Sequence, residues 1–123
     1  MIELLISILF ATSAQQSPQN FDAMMQEHNL VDIRALDSEI LVDLKYSTTD
    51  NFMGVDMYGE LEIAYLEREF AKRVVRAKQL LQERHPEYTL LIYDAARPIS
   101  VQRAMRRAVE GTEFESFVAD GTR

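Results

Sequence analysis

A short apolar run between two prolines constrains the fold of this chain more than any other feature. Residues 89–94 read TLLIYD, with Pro86 before the run and Pro98 after it. The run is short, and proline disfavours helical angles in the residue before it, so a strand is favoured over a helix. The continuous apolar character predicts a central β-strand buried on both faces. Other elements must therefore pack around this strand.

A second strand is predicted for residues 39–46, where apolar and polar residues alternate. A period of two places alternate side chains on opposite faces of a sheet, so one face of this strand is buried. Residues 47–60 contain Ser, Thr, Asp, Asn and two glycines, which predicts a long loop of the kind that often carries function. The side chains expected to face the core are Ile40, Val42, Leu44 and Tyr46.

Three helices are predicted from apolar residues that recur every three or four positions. The longest begins near Ile63 and ends before Pro86, another follows Pro98 and ends near Gly111, and a short one falls in residues 21–30. We therefore expect an α+β fold, with a small mixed or antiparallel sheet packed against two to three helices. The two longer stripes are Ile63, Leu66, Phe70, Val74, Ala77 and Leu81, and Val101, Ala104, Met105 and Ala108.

The N-terminus carries an apolar run of eight residues, LLISILFA, followed by small and polar residues. The run is too short to span a bilayer, and the pattern is typical of a secretory signal. We expect residues 1–14 to be a signal peptide cleaved near Ala14, with residues 15–30 as a lead-in and an exported, periplasmic or secreted product. No basic residue precedes the run, so a buried N-terminal strand or helix is the alternative.

Composition excludes several classes of function. The net charge of −7 disfavours a general nucleic-acid binder, because such proteins usually carry a basic excess. The absence of cysteine excludes disulfides and thiolate metal sites. The two histidines, His28 and His85, match no zinc motif, and no nucleophile elbow or glycine-rich phosphate loop is present. We assign no metal ligand in this chain.

Asp94 and Arg97 follow the predicted central strand in the sequence YDAARP. One interpretation is a turn ion pair, in which Asp94 accepts turn N–H groups and Arg97 folds back on it. The other is a functional arginine held at a strand end, whose forked donors point into a cleft and stabilise an oxyanion. These two residues by themselves leave both interpretations open.

Two motifs in this order resemble the D-alanyl-D-alanine dipeptidases of the vancomycin-resistance type, a family of zinc D,D-peptidases. The motifs are LVDLKYSTTDNFMG, residues 41–54, and LLIYDAARP, residues 90–98. The family patterns read roughly D-x-K/R-Y-A-T-x-x-N-F and W/Y-D-x-x-R-P, and the Ala95–Ala96 pair departs from the commoner Gly-Tyr type. The resemblance begins near residue 30 and implies that residues 31–123 are the N-terminal part, an incomplete half, of a dipeptidase-like catalytic domain.

This resemblance implies zinc-dependent hydrolysis of the dipeptide D-alanyl-D-alanine in cell-wall metabolism. Arg97 would be the catalytic residue that stabilises the oxyanion, Asp94 would order the pocket or touch substrate, and Tyr46, Asn51 and Tyr58 would frame the substrate. The family's zinc ligands lie in later motifs, S-x-H-x-x-G-x-A-x-D and E-x-x-H, which do not occur here. We therefore expect a fragment that is inactive alone and has no membrane span. The alternatives are a D,D-carboxypeptidase and a non-catalytic peptide-binding module.

Overall fold

Four α-helices and two separate two-stranded sheets form the described part of the chain, residues 21–122, in the computed structural model. The expected α+β class is confirmed, although the single sheet with two to three helices is replaced by two sheets and four helices. The predicted signal peptide lies outside the described residues. The helices are α1 (Phe21–Glu27), α2 (Ile33–Leu36), α3 (Arg68–Arg84) and α4 (Ile99–Val109), and the strands are β1 (Leu30–Asp32), β2 (Leu41–Val42), β3 (Tyr65–Glu67) and β4 (Leu91–Ile92).

Strand β3 occupies the first turn of the helix that was predicted to begin near Ile63, so that prediction is wrong at its start. β3 pairs antiparallel with β1, and this pairing keeps the backbone extended up to Glu67. Helix α3 begins at the next residue because the Glu67 carboxylate accepts the N–H groups of Glu69 at 3.1 Å and Phe70 at 2.8 Å. These backbone hydrogen bonds also lower the pKa of Glu67.

The buried face of α3 lies one residue further along the helix than the predicted stripe. Ala71 and Lys78 are buried, whereas Phe70 and Ala77 are exposed. The rotation brings the Lys78 ammonium to the carboxylate of Asp37, 2.8 Å away, and to that of Glu39. Acidic partners from a distant segment therefore make the burial of Lys78 possible, because a buried cation is tolerated only when it is paired.

Strand β4 pairs in parallel with β2, but the prediction that it is buried on both faces is wrong. Leu90 and Ile92 turn inward and are half-buried, whereas Leu91 and Tyr93 are 47% and 53% exposed. Within residues 21–122 this strand has one partner and one covered face, so its outer side chains meet solvent. The apolar run correctly predicted a strand, but it predicted more burial than the structure shows.

The strand predicted for residues 39–46 is shorter in the structure, where β2 covers only Leu41–Val42 and a 3-10 turn begins at Lys45. The predicted alternation holds from Ile40 to Leu44, since Ile40 and Leu44 are buried and Leu41 and Asp43 are exposed. The pairing with β4 extends beyond the assigned strand through the N–H of Asp43, which donates to the Ile92 carbonyl at 2.9 Å. None of the described helices is long and apolar enough to cross a membrane.

Helix α4 confirms the stripe predicted after Pro98 at Val101 and Met105, which are buried, but the stripe ends at the buried Val109, whereas the predicted Ala108 is exposed. The buried side chains come from the four helices, from β3 and from the connecting loops, and Val42 of β2 and Ile92 of β4 pack against them while remaining half-buried. The buried apolar residues are Met25, Ile33, Ile40, Leu44, Tyr58, Leu61, Ala64, Tyr65, Ala71, Val101, Met105, Val109 and Val118.

Candidate functional site

The chain turns sharply after β4, and this corner carries Asp94 and Arg97. The Asp94 carboxylate accepts the N–H of Ala95 at 3.0 Å and a guanidinium N–H of Arg97 at 2.8 Å. The N–H of Ala96 donates to the carbonyl of Tyr65 in β3 at 2.8 Å. The corner is therefore held by its own ion pair and by a hydrogen bond to β3, a strand of the β1–β3 sheet.

Tyr58 closes the ion pair into a ring of three side chains. Its buried hydroxyl donates to Asp94 Oδ1 at 2.5 Å and accepts from Arg97 Nε at 2.9 Å. The loop delivers this side chain because the N–H of Tyr58 donates to the Tyr46 carbonyl at 2.9 Å. Burial, and then the hydrogen bond to Asp94, raise the pKa of Tyr58, so the phenol stays protonated and keeps its donor role.

The Arg97 guanidinium retains unused hydrogen-bonding capacity. Three of its five N–H groups are engaged, by Tyr58, by Asp94 and by the side-chain oxygen of Gln102 at 2.6 Å. Its central carbon lies 5.0 Å from the centre of the Tyr46 ring and 5.6 Å from that of Tyr58. One N–H on each terminal nitrogen has no partner among the described residues. The side chain is 20% exposed, so these donors belong to a fixed group at the surface.

Asn51 lies in the loop, and its side chain is hydrogen-bonded to backbone groups of and beside that loop. The two N–H groups of its amide are shared among the carbonyls of Lys45, Thr48 and Val55, which lie 3.0, 2.8 and 2.9 Å from the nitrogen, and its oxygen accepts the N–H of Met53 at 2.9 Å. The structure therefore brings four of the five predicted site residues together around the guanidinium. Asn51 instead supports the loop that carries Tyr58.

Gln102 is a member of the site that sequence reasoning missed. Its oxygen accepts from Arg97, and its nitrogen donates to the carbonyl of Ala119 at 2.8 Å. It thereby joins the corner to the C-terminal segment. The available signal is a half-buried polar residue beside the apolar stripe of α4, one position after Val101. That position is consistent with many roles, so the pattern does not identify the partner.

A strip of aromatic rings runs from the guanidinium to the C-terminal segment and was also missed. Tyr46 meets Phe52 edge-on at a centroid distance of 6.2 Å, and Phe52 contacts Phe114 at 5.6 Å and Phe117 at 6.0 Å. Phe52 is 40% exposed and Phe117 is 69% exposed. The i,i+3 spacing of Phe114 and Phe117 indicates a helical turn but not the side chains it meets.

The residues described do not fit a zinc centre. Within residues 21–122, no group of three or more His, Cys, Asp or Glu side chains is arranged to hold a metal ion. His85 caps the end of α3 and stacks on Tyr88, with ring centroids 4.9 Å apart.

The corner can bind an oxygen atom that carries full or partial negative charge, and it presents apolar rings beside that atom. Arg97 supplies the donors, Tyr58 and Asp94 hold it in place, and Tyr46 covers its flat face. No family model matches the chain, and comparisons with curated proteins and with solved structures found no similar protein.

Proposed function

We propose that the corner formed by Tyr58, Asp94 and Arg97 binds the substrate oxygen in a zinc-dependent hydrolase that cleaves D-alanyl-D-alanine. The observation that carries this proposal is the pair of N–H groups on the Arg97 guanidinium that have no partner within residues 21–122, while its other three N–H groups are hydrogen-bonded. A donor that is held before substrate arrives needs no reorganisation when charge develops on the oxygen. The motif resemblance supplies the dipeptide as the substrate class.

A simple turn ion pair accounts for part of this geometry. The contacts of Asp94 with Ala95 and Arg97 are those of such a pair. It does not require the buried Tyr58 hydroxyl, the Gln102 oxygen or the covering rings, each of which restricts the guanidinium further. This additional support favours a positioned donor, because side chains that act on substrates are commonly locked by neighbouring hydrogen bonds and packing.

The described residues provide binding and orientation, and they do not provide a nucleophile. Arg97 would hold the peptide carbonyl oxygen and stabilise the negative charge that grows on it as the amide is attacked. Tyr58 and Asp94 would keep the guanidinium plane at one angle, because a shift of about 1 Å can cost a large factor in rate. Zinc, when bound by other residues, would supply Lewis-acid activation of water.

A non-catalytic peptide-binding module is the second candidate, favoured by the lack of a metal-holding group within residues 21–122. The coding sequence downstream of Arg123 separates the two candidates. Histidine-containing zinc motifs there support the hydrolase, and an immediate stop codon supports the binding module. A D,D-carboxypeptidase acting on peptidoglycan peptides would share the motifs and differ in the length of peptide accepted.

The test is titration of D-alanyl-D-alanine into the isotope-labelled 123-residue chain, followed by amide chemical shifts. We expect shifts at the corner and weaker binding of L-alanyl-L-alanine. Arg97→Ala should weaken binding about 10- to 100-fold, because it removes hydrogen bonds to a charged group. Arg107→Ala, which removes the same charge from an exposed position on α4, is the matched control. Equal binding by the Arg97→Ala and Arg107→Ala variants would refute the proposal.

A further inference from the structure

Gln102 differs from the other hydrogen-bonding partners of Arg97, because its side chain does not ionise. Its oxygen accepts a guanidinium N–H at 2.6 Å, whereas Asp94 contributes a full negative charge and Tyr58 a phenol. A primary amide offers a hydrogen-bond acceptor without cancelling the positive charge of the group that it holds. Among the partners within residues 21–122, one carboxylate therefore faces the guanidinium instead of two.

The amide of Gln102 is held in one orientation from both ends. A guanidinium only donates hydrogen bonds and a backbone carbonyl only accepts them, so the oxygen faces Arg97 and the nitrogen faces the carbonyl of Ala119, 2.8 Å away. The backbone of Gln102 is fixed as well, since its N–H donates to the Pro98 carbonyl at 3.1 Å at the start of α4. A side chain that projects from a helix and is hydrogen-bonded at its tip can hold a neighbour in a defined direction.

The C-terminal segment also packs on the stem of Gln102. A Cβ atom at Gly121 would lie 3.1 Å from Gln102 Cγ and 3.5 Å from Ile99 Cδ1, so a glycine is needed for the backbone to approach this closely. The φ angle of Gly121 is 73°, in the left-handed region that other residues rarely adopt. Packing on the stem and two hydrogen bonds at the tip therefore restrict the Gln102 side chain together.

We infer that Gln102 is a positioning residue, which fixes the direction of the Arg97 guanidinium and, by being neutral, preserves its attraction for a substrate oxygen. Lys78 shows the alternative within the same chain, since it lies between two carboxylates that balance its charge. Gln102→Glu would surround Arg97 in the same way, with Asp94 as the second carboxylate. The inference rests on the proposed function for the oxygen that Arg97 receives, and it leaves D-alanyl-D-alanine as the substrate.

The test compares Gln102→Met and Gln102→Glu in the 123-residue chain, by titration with D-alanyl-D-alanine and by the side-chain N–H signals of Arg97 in nuclear magnetic resonance spectra. Gln102→Met removes the acceptor, so the guanidinium should rotate more freely. Its terminal N–H signals should merge, and binding should weaken about 2- to 5-fold. Gln102→Glu keeps an acceptor and adds a charge, so the signals should stay separate while binding weakens about 10-fold or more. Gln79→Glu, the same change at an exposed position of α3, is the matched control and should bind as the parent does.

A purely structural role of Gln102 predicts the opposite order of affinities, because a carboxylate supports a guanidinium better than a thioether does. Binding by Gln102→Glu that equals or exceeds binding by Gln102→Met therefore overturns the inference. Parent affinity and unchanged Arg97 signals in Gln102→Met overturn it too, and this comparison stays decisive if Gln102→Glu does not fold. A parent chain that binds no dipeptide, or binds it equally after Arg97→Ala, overturns the proposed function and the inference with it. Affinity that falls from the parent to Gln102→Met to Gln102→Glu, with Gln79→Glu unchanged, supports the inference.

Discussion

Lys78 and Arg97 are both cations held by carboxylates from their surroundings, and they differ in what they leave open. Lys78 is 4% exposed and lies between Asp37 and Glu39, so two negative charges already surround it. Arg97 has one carboxylate, a phenol and an amide oxygen as partners, and it keeps two donors at the surface. The arrangement at Lys78 stabilises the fold, because its charge is already balanced by two carboxylates. The arrangement at Arg97 can in addition bind a ligand.

The largest expected effect concerns turnover. In a zinc-bearing form of the protein, Arg97→Ala should lower kcat for D-alanyl-D-alanine roughly 10²–10³-fold, as expected for the loss of one oxyanion donor. Its free energy of unfolding should also fall, by about 1–3 kcal/mol, because Tyr58, Asp94 and Gln102 each lose a partner at a position that is 20% exposed. Lys78→Met should lower the urea midpoint and leave turnover per folded molecule normal. An equally strong loss of turnover in Lys78→Met would show that Lys78 and Arg97 do not differ in function as proposed.

Tyr58→Phe should reduce the free energy of unfolding by about 1–3 kcal/mol, since it removes one hydroxyl that serves two partners. Asp94 Oδ1 would lose its side-chain donor and Arg97 Nε its acceptor at a largely buried position. Urea denaturation measures the loss. Tyr88→Phe, at an exposed ring, is the control and should stay within about 0.5 kcal/mol of the parent. Equal midpoints for the two variants would show that the corner is not a supported structure.

The same hydroxyl predicts a loss of stability at alkaline pH. Burial and then the hydrogen bond to Asp94 raise the pKa of Tyr58 above its ordinary value of 10.0, and Tyr65 is shifted the same way by burial and by Asp22. A raised folded pKa contributes stability that is complete below pH 10.0 and is lost as the pH rises beyond it. The part of the tyrosinate absorbance that belongs to Tyr58 and Tyr65 should therefore appear together with unfolding. The loss should be shallower in Tyr58→Phe, and ionisation of both phenols in the native protein at pH 10.0 would contradict this.

The buried pair of Lys78 and Asp37 predicts a loss of stability at acidic pH. The hydrogen bond from Lys78, reinforced by the backbone N–H of Glu39, holds the pKa of Asp37 below its ordinary value of 3.8. A depressed folded pKa contributes stability that is present above pH 3.8 and is lost as the pH falls through the folded value. Urea midpoints measured across this range should fall less steeply in Asp37→Asn than in the parent. Identical slopes would mean that the carboxylate is not held by Lys78.

The smallest effect is expected at an exposed ion pair. Lys72 and Glu69 are 2.8 Å apart on α3, with both side chains more than half exposed. Lys72→Ala should change the free energy of unfolding by no more than about 0.5 kcal/mol, because solvent screens such pairs. A loss comparable to that of Lys78→Met would show that burial does not distinguish the two lysines.

Local patterns in the sequence predicted the helices and strands better than they predicted which distant residues these elements contact. The alternation at Ile40 and Leu44 and the stripe at Val101 and Met105 correctly identified inward faces, because each depends only on spacing. The start of α3 was misplaced because pairing of β3 with β1 overrode an apolar pattern that fits a helix. Lys78 could not be predicted as buried, since its partners lie about forty residues earlier in the chain.

In the candidate site, too, a contact close in sequence could be predicted and contacts distant in sequence could not. The Asp94–Arg97 pair could be predicted because its members are three residues apart in a turn. Tyr58 was expected near the substrate, but its two hydrogen bonds to the pair depend on how the loop folds back. Gln102 and Phe117 could not be found by spacing, because their contacts arise only when α4 and the C-terminal segment pack beside the corner.

The hydrogen bond from Ala96 to Tyr65 couples the corner to β3, a strand of the other sheet. The amide proton of Ala96 can exchange with deuterated water only when that link breaks, and breaking it separates the corner from β3. Its exchange rate should therefore follow separation of the corner from β3, and it should be lower than that of the exposed loop around Gly54, where small local fluctuations suffice. A peptide bound at the corner should slow that single amide in proportion to its affinity.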